Sequence, residues 1–360
     1  MSLPPIRPTV AFILLASLAA CGGGGGSAGG DSTPNPPGPD ITPDPELVYA
    51  NDQPVTRDSF IGKTFPVSLV IGSVRDGQIP ERATGTIEYI TADKAILTYD
   101  GRSTEFNYRN AFSQENWSSG APNTDGSPLQ DLRIDRVSKD ARGIAIGNDF
   151  IANADLPMAE GVFGFVTPEN RLTGTADYSS SFGARMLITS TDWVRQSDGT
   201  FDRVENIVEA DGKAVNISVD FGTGAVSGTL FDGSYTSIDE RQAGASSVTH
   251  DLTVTLQDAV VRGSGFVGDL TVETIASSNP REEINGGVGP QGDILPSTVV
   301  MNSQAADGTF FGYNGEGLGG TFEANFDETF FRADGPPSSG VEAEEVTENR
   351  TIVGDFVVNN

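Results

Sequence analysis

Along most of this chain apolar residues alternate with polar ones at a period of two, the spacing that sends every second side chain of a strand to one face. In Ala214–Phe221, the residues Val215, Ile217, Val219 and Phe221 fall on one face, and Asn216, Ser218 and Asp220 on the other. Leu252, Val254 and Leu256 alternate in the same way with Thr253, Thr255 and Gln257. Thr351–Val358 is a strand by composition, with looser alternation. No window of about 12 residues or more keeps a helical period.

The pattern predicts two sets of strands. In residues 46–155, Phe65, Val67, Leu69 and Ile71 alternate, and short strands follow over Thr84–Ile90, Ala95–Tyr99 and Ser103–Tyr108. Thr91–Lys94 and Asp100-Gly101 read as hairpin turns, Asn110–Pro128 as a polar loop, and Asp131–Ile146 as a return to strand. From Gly161 on, strands are expected over Gly161–Val166, Arg171–Tyr178, Ala184–Thr191, Arg203–Glu209, Val215–Phe221, Gly224–Phe231, Val248–Val261, Gly265–Thr274, Gly308–Tyr313, Gly319–Asn325 and Ile352–Val358. A set of this size fits a closed barrel or a sandwich, and closure leaves no unpaired edge. A membrane barrel fits less well, because the strands lack aromatic girdles and continuous apolar outer faces. Composition agrees: of 44 glycines, eight lie in residues 22–38, and the remaining 36 are spread over residues 41–360 among many Thr, Val and Phe.

The start is organised differently. One basic residue, Arg7, precedes an apolar run from Val10 to Ala20, whose eleven residues of helix would rise only about 16 Å, too short to span a bilayer. Residues 1–20 read as a secretory signal peptide. Leu18, Ala19, Ala20 and Cys21 resemble a bacterial lipobox, which implies lipidation of Cys21 after cleavage before it. Gly22, in place of an inner-membrane retention Asp, points to the outer membrane, on its cell-surface or periplasmic face. Residues 21–45, rich in Gly and then Pro, read as a tether about 25–30 Å long if flexible.

Charge and scarce residues then remove whole classes of function. With 22 Lys+Arg against 50 Asp+Glu the formal charge is −28, which argues against nucleic acid as a partner. One Cys and one His cannot build a thiolate–imidazole zinc cage, so no metal or cofactor is expected. Serine hydrolase chemistry would need His250, and no G-x-S-x-G occurs. A strand edge or loop is the default place for His250. The acids around Asp198–Asp202 and Glu205, Glu209 and Asp211 lack calcium-loop spacing and read as solvated turn carboxylates. The glycines of Arg262–Gly268 sit between strands with no helix after them, which disfavours a phosphate cradle. Trp117 and Trp193 stand in or near predicted loops.

Three segments resemble the transferrin-binding protein B-like β-barrel family. Gly308–Phe322 follows its signature at Gly308, Phe310, Phe311, Gly312, Asn314, Gly319, Gly320 and Phe322. It departs at Tyr313 (Pro in the family), at Gly315 (Ala), and at Gly317, where a Glu is expected and Glu316 comes one place early. Leu172–Tyr178 and Val219–Thr229 are similar to the family's first barrel strand and to a later hairpin. The motif residues read as mainly structural: Phe310 and Phe322 filling the barrel, and Gly319-Gly320 taking positive φ at a reversal. The resemblance implies an eight-stranded antiparallel barrel over 156–360, with the small β domain of 46–155 as a handle-like sheet before it. It implies a non-enzymatic, lipid-anchored surface protein that captures a host or environmental protein or solute, with iron or haem uptake as the class of role. Trp193, Tyr235 and Tyr313 are the candidate partner-binding loop residues. The alternative is a shielding lipoprotein with no specific ligand.

Overall fold

Among the described residues the period-two pattern becomes nineteen strands and, apart from short 3-10 turns such as Arg57–Phe60 and Glu169–Arg171, little else. The computed structural model describes residues 47–48, 55–73, 78–99, 101–111, 115–119, 130–136, 141–147, 159–180, 184–198, 200–212, 215–239, 246–279, 294–332 and 344–360. The first eight strands are β1 (Thr64–Ser73), β2 (Gln78–Thr91), β3 (Lys94–Tyr99), β4 (Arg102–Ala111), β5 (Glu115–Ser119), β6 (Gln130–Arg136), β7 (Ala141–Gly147) and β8 (Ala159–Gly164). They pair in chain order, and β8 returns to β1 with Val162 opposite Ser68 and Ala159 opposite Ile71, so the set is a closed barrel.

Two-residue turns form where expected. Thr91 pairs with Lys94, and Tyr99 pairs with Arg102 across Asp100-Gly101 with Gly101 at φ +67. Three expectations are corrected. The handle-like sheet is a full eight-stranded ring. The expected polar loop contains β5, which has no hydrophobic alternation and is held by partners on both sides, Trp117 lying opposite Tyr108 and Leu132. The strand near Gly161, assigned to the second body, closes the first, so the chain crosses over after Gly164 and not at 155. The ring surrounds an apolar cluster that includes Phe65, Leu69, Ile87, Leu97, Tyr99 and Phe106. Phe60, Phe65, Tyr89, Phe163 and Phe165 pack within it in tilted and edge-on pairs at ring-centroid distances of 4.9–6.5 Å.

The remaining strands are β9 (Thr175–Ser180), β10 (Arg185–Arg195), β11 (Phe201–Gly212), β12 (Val215–Asp220), β13 (Ala225–Asp239), β14 (Ser246–Arg262), β15 (Gly265–Asn279), β16 (Ile294–Pro296), β17 (Thr298–Phe311), β18 (Gly317–Arg332) and β19 (Glu344–Asn359), in one 11-stranded sheet. Its antiparallel pairings run β9–β12–β13–β14–β15–β17–β18–β19 and back to β9 at Asn359↔Ser179, a ring of the expected eight. The β10–β11 hairpin bridges β19 to β13 further along, from Ile188↔Ile352 to Gly212↔Gly233. On β12 Val215, Ile217 and Val219 are buried while Asn216 and Ser218 are exposed, and on β14 Leu252, Val254 and Leu256 are buried. On these two strands the inward face is apolar and the outward face polar, the reverse of a membrane strand.

The two ends of this ring differ. At one, the connections are short: 221–224, 263–264 and 312–316. At the other, β13 is joined to β14 by residues 240–245, β15 to β16 by 280–293, and β18 to β19 by 333–343, all outside the described residues. That end is called the mouth below.

Candidate functional site

Inside the second barrel, a layer of ionisable side chains lies toward the mouth. It follows from strand alternation: Tyr235 and Ser237 on β13, His250 and Leu252 on β14, Glu328 and Phe330 on β18, and Glu348 and Arg350 on β19 all point inward. Glu328 is the hub. Its Oε1 is 2.9 Å from His250 Nδ1, and its Oε2 accepts from Tyr235 Oη at 3.0 Å and from Arg350 Nε at 3.3 Å. Arg350 Nη2 is also 2.6 Å from Glu348 Oε2. The His250 ring stacks on Tyr235 at 4.5 Å and 5°, with the edge of Phe330 at 4.9 Å.

The electrostatics follow from these contacts. Burial opposes ionisation of Glu328, but the hydrogen bond and charge of His250, together with the charge of Arg350, outweigh it and bring its pKa down to about 2. Burial, and then the charge of Glu328, push the Tyr235 phenol well above its usual value. A carboxylate only accepts, so His250 Nδ1 carries the hydrogen, and Nε2 faces the Ser237 hydroxyl at 3.2 Å. Hydroxyl, imidazole and carboxylate thus stand in the order of a hydrolase relay.

The layer is closed on both sides. Leu252, Phe326 and Ile352 lie below it, and Val248, Ala276 and Phe330, with Val346 against them, form an apolar layer above it. Ser237, His250 and Glu328 are 1%, 0% and 0% exposed. No reacting carbonyl can reach the hydroxyl, so the arrangement is a packed polar core and not a catalytic centre. His250 is therefore corrected from strand edge to barrel interior. Its partners lie 78 and 13 residues away in sequence, beyond the reach of any local motif.

The three motif segments meet at the opposite end. Phe310 packs on Tyr178 at 5.9 Å and on Phe221 at 5.1 Å, and Tyr178 Oη donates to the Gly315 carbonyl at 2.7 Å. Gly308, Phe310, Phe311, Gly319, Gly320 and Phe322 are buried strand residues, and Gly312 and exposed Asn314 stand in the turn. The displaced Glu316 accepts the Asn314 backbone N–H at 3.0 Å. Positive φ falls at Gly312 (+95) and Gly315 (+73), which corrects the expectation for Gly319-Gly320. Those two glycines are needed for close approach: a Cβ on Gly320 would overlap the Asp307 carbonyl, and one on Gly319 would come within 2.7 Å of Val162 on the first barrel.

The two barrels also meet through charge. Arg185 Nε lies 3.4 Å from both Glu160 and Glu209, while Arg82 pairs with Asp307 and donates to Thr321 Oγ1 at 2.9 Å. Asp355, opposite Arg185 on β19, is buried there; burial, and then the charge of Glu160, raise its pKa to about 8 despite Arg185.

The candidate loop residues do not converge. Tyr235 is buried inside the barrel, a correction of its loop assignment. Trp193 stands on β10 near the mouth, and Tyr313 lies in the turn at the far end, with the Arg171 guanidinium 3.4 Å from its ring centre. Asp198 accepts from the backbone and hydroxyl of Thr200 at 2.9 and 2.7 Å, capping its own turn. Cys21, Leu18, Ala19 and Ala20 lie outside the described residues.

Two antiparallel rings, the second filled by apolar layers around one charged layer, define a protein of two β-barrels. Residues 170–356, just over half of the chain, match the model for the C-lobe and N-lobe beta barrels of Tf-binding protein B, and the chain belongs to that family. The family is named for binding, not for catalysis. No curated protein matches the chain in sequence. Among solved structures, a double mutant of transferrin binding protein B from Haemophilus parasuis Hp5 is similar at 13% identity and TM-score 0.37, over 82% of this chain and 45% of that one. Intact Ap-TbpB, with N and C lobes, is similar at 9% identity and TM-score 0.28, over 83% of this chain and 77% of that one. The chain thus spans less than half the length of the H. parasuis protein. The Vibrio cholerae outer membrane protein OmpT scores 0.26 at 9% identity, over 82% of this chain and 98% of that one. At such scores the family match alone carries the assignment.

Proposed function

We propose that this chain is a lipid-anchored outer-membrane protein, displayed at the cell surface, that captures an iron-carrying protein or a related solute through the mouth of its second barrel. The family match over residues 170–356 carries the reading. The contrast between barrel ends supports it: the connections at the mouth run to 14 residues (280–293), while the hairpin connections at the other end have five or fewer. Long connections on a rigid scaffold are where binding residues concentrate. Lipidation of Cys21 would hold the body at the membrane, since two or three acyl chains at about 0.8 kcal/mol per buried CH2 anchor it stably. The tether would lift it clear of the lipid, and a net charge of −28 would keep it off an anionic surface.

The test is a binding series with the purified chain and iron-loaded transferrin, haemoglobin and haem, read by surface plasmon resonance and thermal shift. Saturable binding that raises the melting temperature is expected for one of them. A flat series would favour the shielding lipoprotein. Cys21→Ser should abolish acyl labelling and leave the precursor uncleaved; labelling that persists would refute the anchor.

A further inference from the structure

The wall of the second barrel is unzipped over one stretch. β15 pairs with β17 from Gly265↔Thr309 to Gly268↔Ala306, and is next joined at Ile275, opposite Pro296 of β16. Between these points, among the described residues, no pairing joins 269–274 to 297–305. The far edge of β15 is covered by β14 and that of β17 by β18. Each strand therefore turns a row of backbone N–H and C=O groups toward the gap.

The two sides of the gap differ in chain length. Six residues on one side (269–274) face nine on the other (297–305). The three extra residues are about 10 Å of extended chain at about 3.3 Å each, enough to step outward by one strand spacing of about 4.8 Å and back. The side chains agree. Leu270 and Val272 are buried on the β15 side, but Val299 and Met301, which pack on the same core from β17, are only half-buried. On the outside, Ile275 and Val300 are 47% and 56% exposed, the two most exposed large hydrophobic residues described. Asp269 and Glu273 on β15, and Asp327 opposite Val300 on β18, make the surrounding surface acidic, and neither 269–279 nor 297–305 contains a basic residue.

We propose that this gap is a strand-addition site for a short extended segment of a partner protein. Its backbone would pair with the two edges that no described strand covers. Its inward side chains would be apolar, closing over Val299 and Met301, and its outward side chains basic, facing Asp269, Glu273 and Asp327. The contacts between the two barrels involve none of these residues. The site extends the binding reading above but is separate from the mouth connections.

The experiment titrates the full chain with a fluorescein-labelled Lys-Val-Lys-Val-Lys-Val-Lys peptide and its Glu-Val counterpart, reading anisotropy and amide hydrogen exchange. The lysine peptide should bind saturably and slow exchange in 269–274 and 298–305, and the glutamate peptide should do neither. Glu273→Lys with Asp327→Lys, both on the outer face, should weaken binding about tenfold, while Glu88→Lys on the first barrel leaves it unchanged. The proposal is overturned if protection falls elsewhere, if Glu88→Lys weakens binding equally, or if both edges are already protected in the free chain, which would mean another part of the chain covers them. A chain that takes the peptide but no iron carrier keeps this site and loses the reading above; the converse result does the opposite.

Discussion

The two barrels enclose different interiors. Around Phe60, Phe65, Tyr89, Phe163 and Phe165 the first is aromatic, and Thr104 is the one buried polar residue among the side chains described on its strands. The second places Glu328, Glu348, Arg350 and His250 in one layer between apolar layers. An aromatic interior is held by area and packing, which tolerate a conservative exchange. A buried charged layer adds little net stability over an apolar one, yet it penalises any arrangement that leaves a member unpaired. Five of its contacts bring β13, β14, β18 and β19 to a single level, so a slip of one residue in any of these strands would bury an unpaired charge. The layer thus sets the register of the long strands that carry the mouth.

The largest test breaks that layer. Glu328→Leu leaves Arg350 and His250 without their common acceptor and should cost about 3–5 kcal/mol in urea unfolding. Replacing Glu328, Glu348 and Arg350 together by Leu and Met should recover most of the loss, so a chain that merely fails to fold is distinguished. The pH dependence follows from linkage. A carboxylate with its folded pKa brought from 4.5 down to about 2 contributes stability above pH 4.5 that is lost as the pH falls toward 2. The wild type should show that acid loss and Glu328→Leu should lack it.

A smaller effect is expected at the other end. Gly320→Ala would push a Cβ into the Asp307 carbonyl and to 2.6 Å from Gly308 Cα, both backbone, and should cost about 1–3 kcal/mol. A neutral result would remove close β17–β18 approach as the reason for glycine in the family signature. A further test, read by pH alone, joins the two barrels. Asp355 has its folded pKa raised from 3.8 to about 8, so between those values the folded chain holds a proton that the unfolded chain has lost. Stability should therefore fall as the pH rises through that window. Asp355→Asn should match the wild type near pH 4 and exceed it at pH 8.5 in melting temperature; parallel curves would show that Asp355 is already ionised at neutral pH.

Where the interior is apolar, the strands were legible. Alternation in Val215–Phe221 and Leu252–Gln257 names the inward faces of β12 and β14, and two-residue turns at 92–93 and 100–101 are found as expected. Where the interior is charged, the signal vanishes. Asp327–Arg332 and Glu344–Arg350 carry charged residues on both faces, so the mouth halves of β18 and β19 fall outside the expected strands, although they pair without interruption from Phe326↔Arg350 to Arg332↔Glu344. The same holds for β13 beyond Phe231, where Tyr235 and Ser237 turn inward. Tyr235 looked like a loop aromatic for that reason.

Taken alone, the sequence determined what is local: strands throughout, their inward faces in apolar stretches, the tight turns, the acidic balance and the family motifs. Side-chain alternation is a property of each extended residue and needs no partner. Only the tertiary structure decided that Ala159–Gly164 closes the first ring, that β5 is a strand, and that His250, Glu328 and Arg350 share one layer. Those outcomes depend on pairing between residues tens to hundreds of positions apart, where loop closure, burial of charge and the need to satisfy both edges of every strand choose among many locally equivalent arrangements.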